Sequence, residues 1–160
     1  MGLVETFKEH DDKIVVLGMS CVGKTTFSKS LSKHTHKCFD ARFPWHEIET
    51  LGMSISSALQ NVARQCYENK FVLDGWHSTD LEGRYMPESK VYVIYSTYGH
   101  IVDQYRKKVN FYSEFFHMYK KWYSYRNPNA RYFFNNGQFI ETNFEEYLEI
   151  VQEEVFNFQK

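Results

Sequence analysis

Apolar positions along the chain gather into short β-branched or aromatic runs, separated by longer stretches with helical spacing. The first run is Lys13-Ile14-Val15-Val16-Leu17, which suits a buried parallel strand, and the residues from Lys24 to about Ser32 continue as a helix. His36-Lys37-Cys38-Phe39-Asp40 reads as a second strand, closed by Ala41, Arg42 and then Pro44. From about His46 to Asn69 the pattern is helical, with Ile55, Leu59, Val62 and Cys66 on one face and a break near Gly52. Lys70-Phe71-Val72-Leu73-Asp74 is the third strand and ends at Gly75. Lys90 to Tyr95 is the fourth, followed by a helix from about Gly99 to Val109. The last strand is predicted over Gln138 to Glu141, and Thr142 or Asn143 would cap a terminal helix carrying Glu145 and Glu146 in its first turn. Strands alternating with helices predict an α/β three-layer sandwich, doubly wound around a five-stranded parallel sheet, as one domain over residues 1–160.

The stretch from Asn110 to Tyr125 stands apart, because it is helical in spacing and crowded with aromatics before it stops near Asn127-Pro128. Phe111, Phe115, Met118 and Trp122 share one stripe, and Tyr112, Phe116, Tyr119 and Tyr123 share the next. One stripe must be core. The other would cover an acceptor, stack on a base or meet a second subunit, so monomer and homodimer both stay open.

Composition narrows the setting. The formal net charge of −1 over 160 residues gives no global attraction to nucleic acid or membrane, so any basic site has to be local. Cys21, Cys38 and Cys66 show neither a disulfide framework nor a metal-ligand rhythm, and no apolar run is long enough to span a membrane; a soluble, cytoplasmic protein is expected. His10, His34, His36, His46, His100 and His117 likewise lack metal-ligand spacing.

Against that background one motif carries the chemistry. Residues Gly18 to Thr25 read Gly-Met-Ser-Cys-Val-Gly-Lys-Thr, a complete G-x-x-x-x-G-K-[ST] loop between a strand and a helix. Gly18 and Gly23 let the backbone wrap an anion, and the amides of Ser20, Cys21, Val22 and Gly23 would point inward at the helix N-terminus. Lys24 would set its ammonium between the β- and γ-phosphates of a nucleoside triphosphate, Thr25 would offer its hydroxyl to Mg²⁺, and Thr26 would reach the α-phosphate. Asp74, at the carboxyl end of a buried strand, lies at the rim where open α/β sheets bind ligands; it would hold the metal through water or, alternatively, cap the turn before Gly75.

The loop, the Phe71-Val72-Leu73-Asp74-Gly75 strand end, and the Lys90 to Tyr95 strand with a following helix that carries Arg106 together resemble the small P-loop kinases related to nucleoside monophosphate kinases. The resemblance implies ATP as donor and Mg²⁺ as cofactor. It also implies a helical lid, here about residues 109–135, whose arginines close over the phosphates; Arg126 and Arg131 flank the Asn127-Pro128-Asn129 turn and would be those arginines, assisted by Arg106. The sequence continues Trp76-His77 where adenylate kinases carry an aromatic, Pro and Arg, so Trp76 and His77 become candidates for touching the acceptor.

Asp40 and Arg42 bear on which acceptor that is. A phosphate acceptor is already anionic and needs positioning, whereas a hydroxyl must lose a proton and benefits from a nearby carboxylate. Asp followed closely by Arg at the second strand end resembles the 5′-hydroxyl polynucleotide kinases, although the spacing is D-x-R. An ordinary surface ion pair would look the same. The expectation is therefore an ATP-dependent phosphotransferase acting on a nucleotide or nucleoside-type acceptor, with Asp40 and Arg42 orienting it. Two alternatives stand beside it: a kinase of a polynucleotide hydroxyl, at a 5′ end or on a modified base, and a nucleotide-binding switch without catalysis.

Overall fold

The structure is a computed structural model that describes residues 10–19, 22–32, 36–40, 52, 54, 60, 64, 70–74, 89–106 and 115–158. In chain order the elements are β1 (Lys13–Leu17), α1 (Lys24–Ser32), β2 (Lys37–Asp40), β3 (Phe71–Asp74), β4 (Lys90–Tyr95), α2 (Tyr98–Arg106), α3 (Phe115–Trp122), β5 (Arg131–Asn135), β6 (Phe139–Thr142) and α4 (Phe144–Phe158). Among the described residues the strands form a six-stranded sheet in the order β2-β3-β1-β4-β5-β6. β1 lies inside it with parallel neighbours on both sides, Val15 opposite Leu73 of β3 and Val91 of β4. Such a strand is covered on both faces and has no use for polar alternation, which is why Ile14, Val15, Val16 and Leu17 are all buried.

Alternation along β4 and β5 sorts the aromatic residues into two layers. On one face Phe27 of α1 packs on Tyr92 and Phe133. On the other, Tyr147 of α4 packs on Tyr95 and Tyr132. Residues 132 and 133 are consecutive, so they point to opposite faces and each meets its own helix. The terminal helix starts as its sequence requires, with the Asn143 carboxamide oxygen accepting the Glu146 amide at 2.8 Å.

The three-layer α/β fold and its five parallel strands agree with the sequence reading, but the fifth strand is a different segment. It is Arg131–Asn135, paired in parallel with β4 from Tyr92↔Arg131 to Tyr95↔Phe134. The predicted last strand is β6, which turns back antiparallel on β5 and makes a sixth. The turn between them is short enough to require a left-handed residue, which Gly137 supplies at φ 109°. β5 escaped detection because Tyr132, Phe133 and Phe134 suit a strand and an aromatic helix equally, and the contact that decides between them lies some 40 residues earlier, in β4.

This also corrects the expected extent of a lid. Residues 131–135 are sheet, and across α3 and the residue after it the tyrosine stripe is core: Tyr119 and Tyr123 are buried, whereas Met118 is exposed. Phe111 and Tyr112 of the two stripes lie outside the described residues, as does most of the predicted 46–69 helical region.

Candidate functional site

The loop between β1 and α1 is shaped by close approaches that exclude side chains. A Cβ on Gly18 would lie 2.6 Å from the Ile94 carbonyl oxygen, and Gly23, at φ 103°, would press one against the Asn135 carboxamide at 3.0 Å and the Phe139 ring at 3.1 Å. Glycine is therefore needed at both ends of the loop. After Gly23 the chain enters α1, whose first bond runs from the Phe27 amide to the Gly23 carbonyl at 3.0 Å. Thr25 and Thr26 are exposed at this helix start. Lys24 folds back so that its ammonium donates to the Gly18 carbonyl.

Two outside elements brace the loop. The Tyr123 hydroxyl, just beyond α3, accepts the Met19 amide at 3.2 Å and donates to the Ile94 carbonyl at 2.9 Å. Complete burial holds that phenol well above its ordinary pKa, which keeps the proton it donates. One turn earlier Tyr119 donates to the Ser96 carbonyl at 3.1 Å. From the other side Asn135, at the end of β5, donates to the Val22 carbonyl at 2.9 Å, accepts the Gly137 amide at 3.0 Å, and has its own carbonyl bound by the Ser96 hydroxyl at 2.6 Å. The loop is thus gripped between α3 and the β5–β6 hairpin.

α3 contributes one more contact. The Lys24 ammonium lies over the Trp122 ring, 5.2 Å from its centroid. An aromatic face attracts a cation by about 0.5–2 kcal/mol, depending on how dry the contact is. Sequence reasoning missed Trp122, Tyr123, Asn135 and Phe139 as parts of this site. The only local signal was a lone tryptophan in a helix otherwise crowded with tyrosine and phenylalanine.

Of the residues expected at the site, the structure gathers one group at the carboxyl edge of the sheet. Gly18, Val22, Gly23, Lys24, Thr25 and Thr26 form the loop and helix start, and Asp74 ends β3 beside it, paired in register with Val16. Asp40 ends β2 at the position registered with Asp74, so two acidic residues terminate adjacent strands on the loop side. Arg106 is the last residue of α2. Ser20, Cys21, Arg42, Trp76 and His77 lie outside the described residues.

Arg131 is elsewhere, and its expected position over the phosphates is corrected. It opens β5, level with Tyr92 in β4, and so stands toward the amino-terminal edge of a parallel sheet whose loop emerges from the opposite edge. There it makes a bidentate pair with Glu141 at 2.7 and 2.8 Å, and its remaining branch reaches Asp11 at 3.1 Å and the Tyr92 hydroxyl at 2.6 Å. Arg126 is exposed in the turn after α3, where its guanidinium donates to the Tyr123 and Tyr125 carbonyls at 2.7 and 2.9 Å and lies over the Tyr147 ring. Those bonds cap the end of α3.

The donor set fits a Mg²⁺–triphosphate on chemical grounds: a cradle that a Cβ would fill at Gly18 and Gly23, an ammonium held at its mouth, an exposed threonine hydroxyl and a strand-end carboxylate. No group of three or more His, Cys, Asp or Glu residues suited to a metal occurs among the described residues. No helix among them is long and apolar enough to cross a membrane.

No family model matches the sequence, and no curated protein matches it. Solved structures do. A gluconokinase from Sinorhizobium meliloti 1021 superposes with a TM-score of 0.54 at 8% identity, covering 94% of this chain and 95% of that one. A sugar kinase from Janibacter sp. HTCC2649 gives 0.52 at 11% identity, over 91% and 90% of the two chains. A shikimate kinase from Bacteroides thetaiotaomicron gives 0.51 at 16% identity, over 91% and 95%. The likeness is one of fold, and together with the Gly18 to Thr25 loop it makes this an α/β P-loop kinase fold.

Proposed function

We propose that this chain is an ATP- and Mg²⁺-dependent phosphotransferase acting on a hydroxyl of a small acceptor of nucleoside or nucleotide type. The observation that carries the reading is a complete phosphate loop, with Lys24 at its mouth and Asp40 and Asp74 ending adjacent strands at the same edge. Two neighbouring acidic residues suit a hydroxyl acceptor better than a phosphate one, since a dianion would be repelled while a hydroxyl needs a base. The sugar and shikimate kinases that share the fold bear names of hydroxyl-bearing substrates, which agrees with this choice.

Bound with the nucleotide, Mg²⁺ would supply charge neutralisation on the phosphate oxygens, held by the Thr25 hydroxyl and, through water, by Asp74. The loop amides and Lys24 stabilise the charge that spreads over the transferring group. Asp40 accepts the acceptor's hydroxyl proton as the oxygen bonds to the γ-phosphorus, the bond to the β–γ bridging oxygen breaks, and ADP leaves with that electron pair. Arg42, Trp76, His77 and Arg106 orient the acceptor.

The test is transfer of labelled γ-phosphate from ATP to parallel panels of nucleosides, sugars, nucleoside monophosphates and 5′-hydroxyl oligonucleotides, with Lys24→Ala as control. Transfer to a small hydroxyl acceptor that collapses in Asp40→Asn is the expected result. Transfer to monophosphates that survives Asp40→Asn would reassign Asp40 to positioning, and nucleotide binding with no acceptor in any panel would favour a switch.

A further inference from the structure

Lysine is a flexible way to deliver a charge: four methylenes must be immobilised before the ammonium stands where a phosphate needs it. In this chain the partners of the ammonium include two of different kinds, the Gly18 carbonyl and the face of Trp122 at 5.2 Å. The carbonyl is a hydrogen-bond acceptor and competes with a phosphate oxygen for the same protons. The ring face attracts the cation through its quadrupole and presents no lone pair that a phosphate oxygen has to displace.

The ring is also fixed relative to the loop. Trp122 immediately precedes Tyr123, whose hydroxyl is bonded both to the loop at Met19 and to β4 at Ile94, and it follows Tyr119, which is bonded to Ser96. Displacing the turn that carries Trp122 would break buried hydrogen bonds on both sides of it, so the backbone that bears the ring is fixed relative to the loop.

We infer that Trp122 is a positioning residue for Lys24: its ring stays beneath the ammonium while a phosphate oxygen of the triphosphate replaces the Gly18 carbonyl. The inference rests on the nucleotide-binding reading above and names the residue outside the loop that tunes it.

The experiment is calorimetric titration of the full chain with Mg·ATP in the wild type, Trp122→Phe, Trp122→Leu, Lys24→Met and the Lys24→Met/Trp122→Leu double variant, with melting temperatures as fold controls. Removing the aromatic face in Trp122→Leu is expected to weaken binding about three- to tenfold. Trp122→Phe should fall between leucine and wild type, and leucine should add nothing once Lys24 is methionine. In parallel, protein labelled with 5-fluorotryptophan gives a fluorine resonance assigned to Trp122 by its loss in Trp122→Phe. That resonance should move on adding Mg·ATP to the wild type and should sit elsewhere in nucleotide-free Lys24→Met.

Wild-type affinity in Trp122→Leu, or an equal loss in the Lys24→Met background, overturns the inference and leaves the nucleotide-binding reading intact. If the wild type binds no ATP, that reading fails; the Lys24–Trp122 contact is then judged by the nucleotide-free fluorine spectra alone, where an unmoved resonance in Lys24→Met overturns it. Should Trp122→Leu fail to fold, the Trp122→Phe affinity and the fluorine shifts decide.

Discussion

At the amino-terminal edge of the sheet, Arg131 is closed on three sides by its own chain: Glu141 grips two of its nitrogens, and Asp11 and the Tyr92 hydroxyl take the third. At the carboxyl-terminal edge, Lys24 meets a backbone carbonyl and an aromatic face. Each edge has a cation and acidic residues near it. Glu141 and Asp11 are within bonding distance of Arg131 and neutralise it. Asp40 and Asp74 end adjacent strands beside the loop, and the Lys24 ammonium has the Gly18 carbonyl and the Trp122 ring among its partners. An edge whose side chains close on one another contributes stability, and one built as a phosphate loop is shaped for binding.

The sharpest way to break this comparison is to remove the cation at each edge. Lys24→Ala should lower phosphoryl transfer by about 10²–10³, in line with loss of a single donor to developing negative charge, with the melting temperature nearly unchanged. Arg131→Ala should do the reverse. Glu141 and Asp11 would be left without their partner, at a cost of about 2–4 kcal/mol in urea denaturation, while the folded fraction retains its nucleotide affinity. If Arg131→Ala instead abolished transfer in protein that remained folded, the separation of the two edges would be wrong.

A smaller effect should come from Tyr123→Phe, which couples the loop to the core. It strips a partner from both the buried Met19 amide and the Ile94 carbonyl, and should cost about 1–3 kcal/mol of stability together with a measurable loss of ATP affinity. Tyr119→Phe removes a hydroxyl that, among the described residues, donates to the Ser96 carbonyl, and should lower stability with little change in affinity. Equal affinity losses in the two variants would mean that the Met19 contact does not shape the loop.

What sequence could and could not reveal follows the same division between local and distant causes. The loop was legible because its chemistry is written in eight consecutive residues and its flanks are a β-branched run and a helix. β1, α1, β2, β3 and β4 were legible because short apolar runs bounded by polar residues and glycine have few other uses. The Asn143 cap was legible from its own turn. β5 was not, since Arg131 and the aromatics after it become a strand only by pairing with Tyr92 to Tyr95. Local sequence accordingly assigns Arg131 to the phosphates, whereas its charge belongs to Glu141, ten residues later across a hairpin, and to Asp11, at the far end of the chain. Trp122 was hidden for a similar reason: nothing near it in sequence says that residue 24 will lie over its ring.

The finest test of the closed edge is its pH dependence, which turns on Asp11. Burial pushes the Asp11 carboxyl up, but hydrogen bonds from Tyr92 and Arg131 and the Arg131 charge outweigh it, so the net shift is below the ordinary value of 3.8. A carboxyl depressed in the folded state binds fewer protons there than in the unfolded chain, so stability rises with pH across the interval between the two values. The contribution is fully present above the unfolded value and is lost as pH falls through the folded one. The Asp11 side chain is 41% exposed, so solvent screens the pair and the effect is modest. Urea midpoints followed from pH 6 down to about 3 should therefore fall more steeply in the wild type than in Asp11→Asn, with the curves converging only at the acid end. Parallel curves would mean that Asp11 adds nothing to Arg131 beyond what Glu141 already provides, and the closed edge would reduce to the Arg131–Glu141 pair.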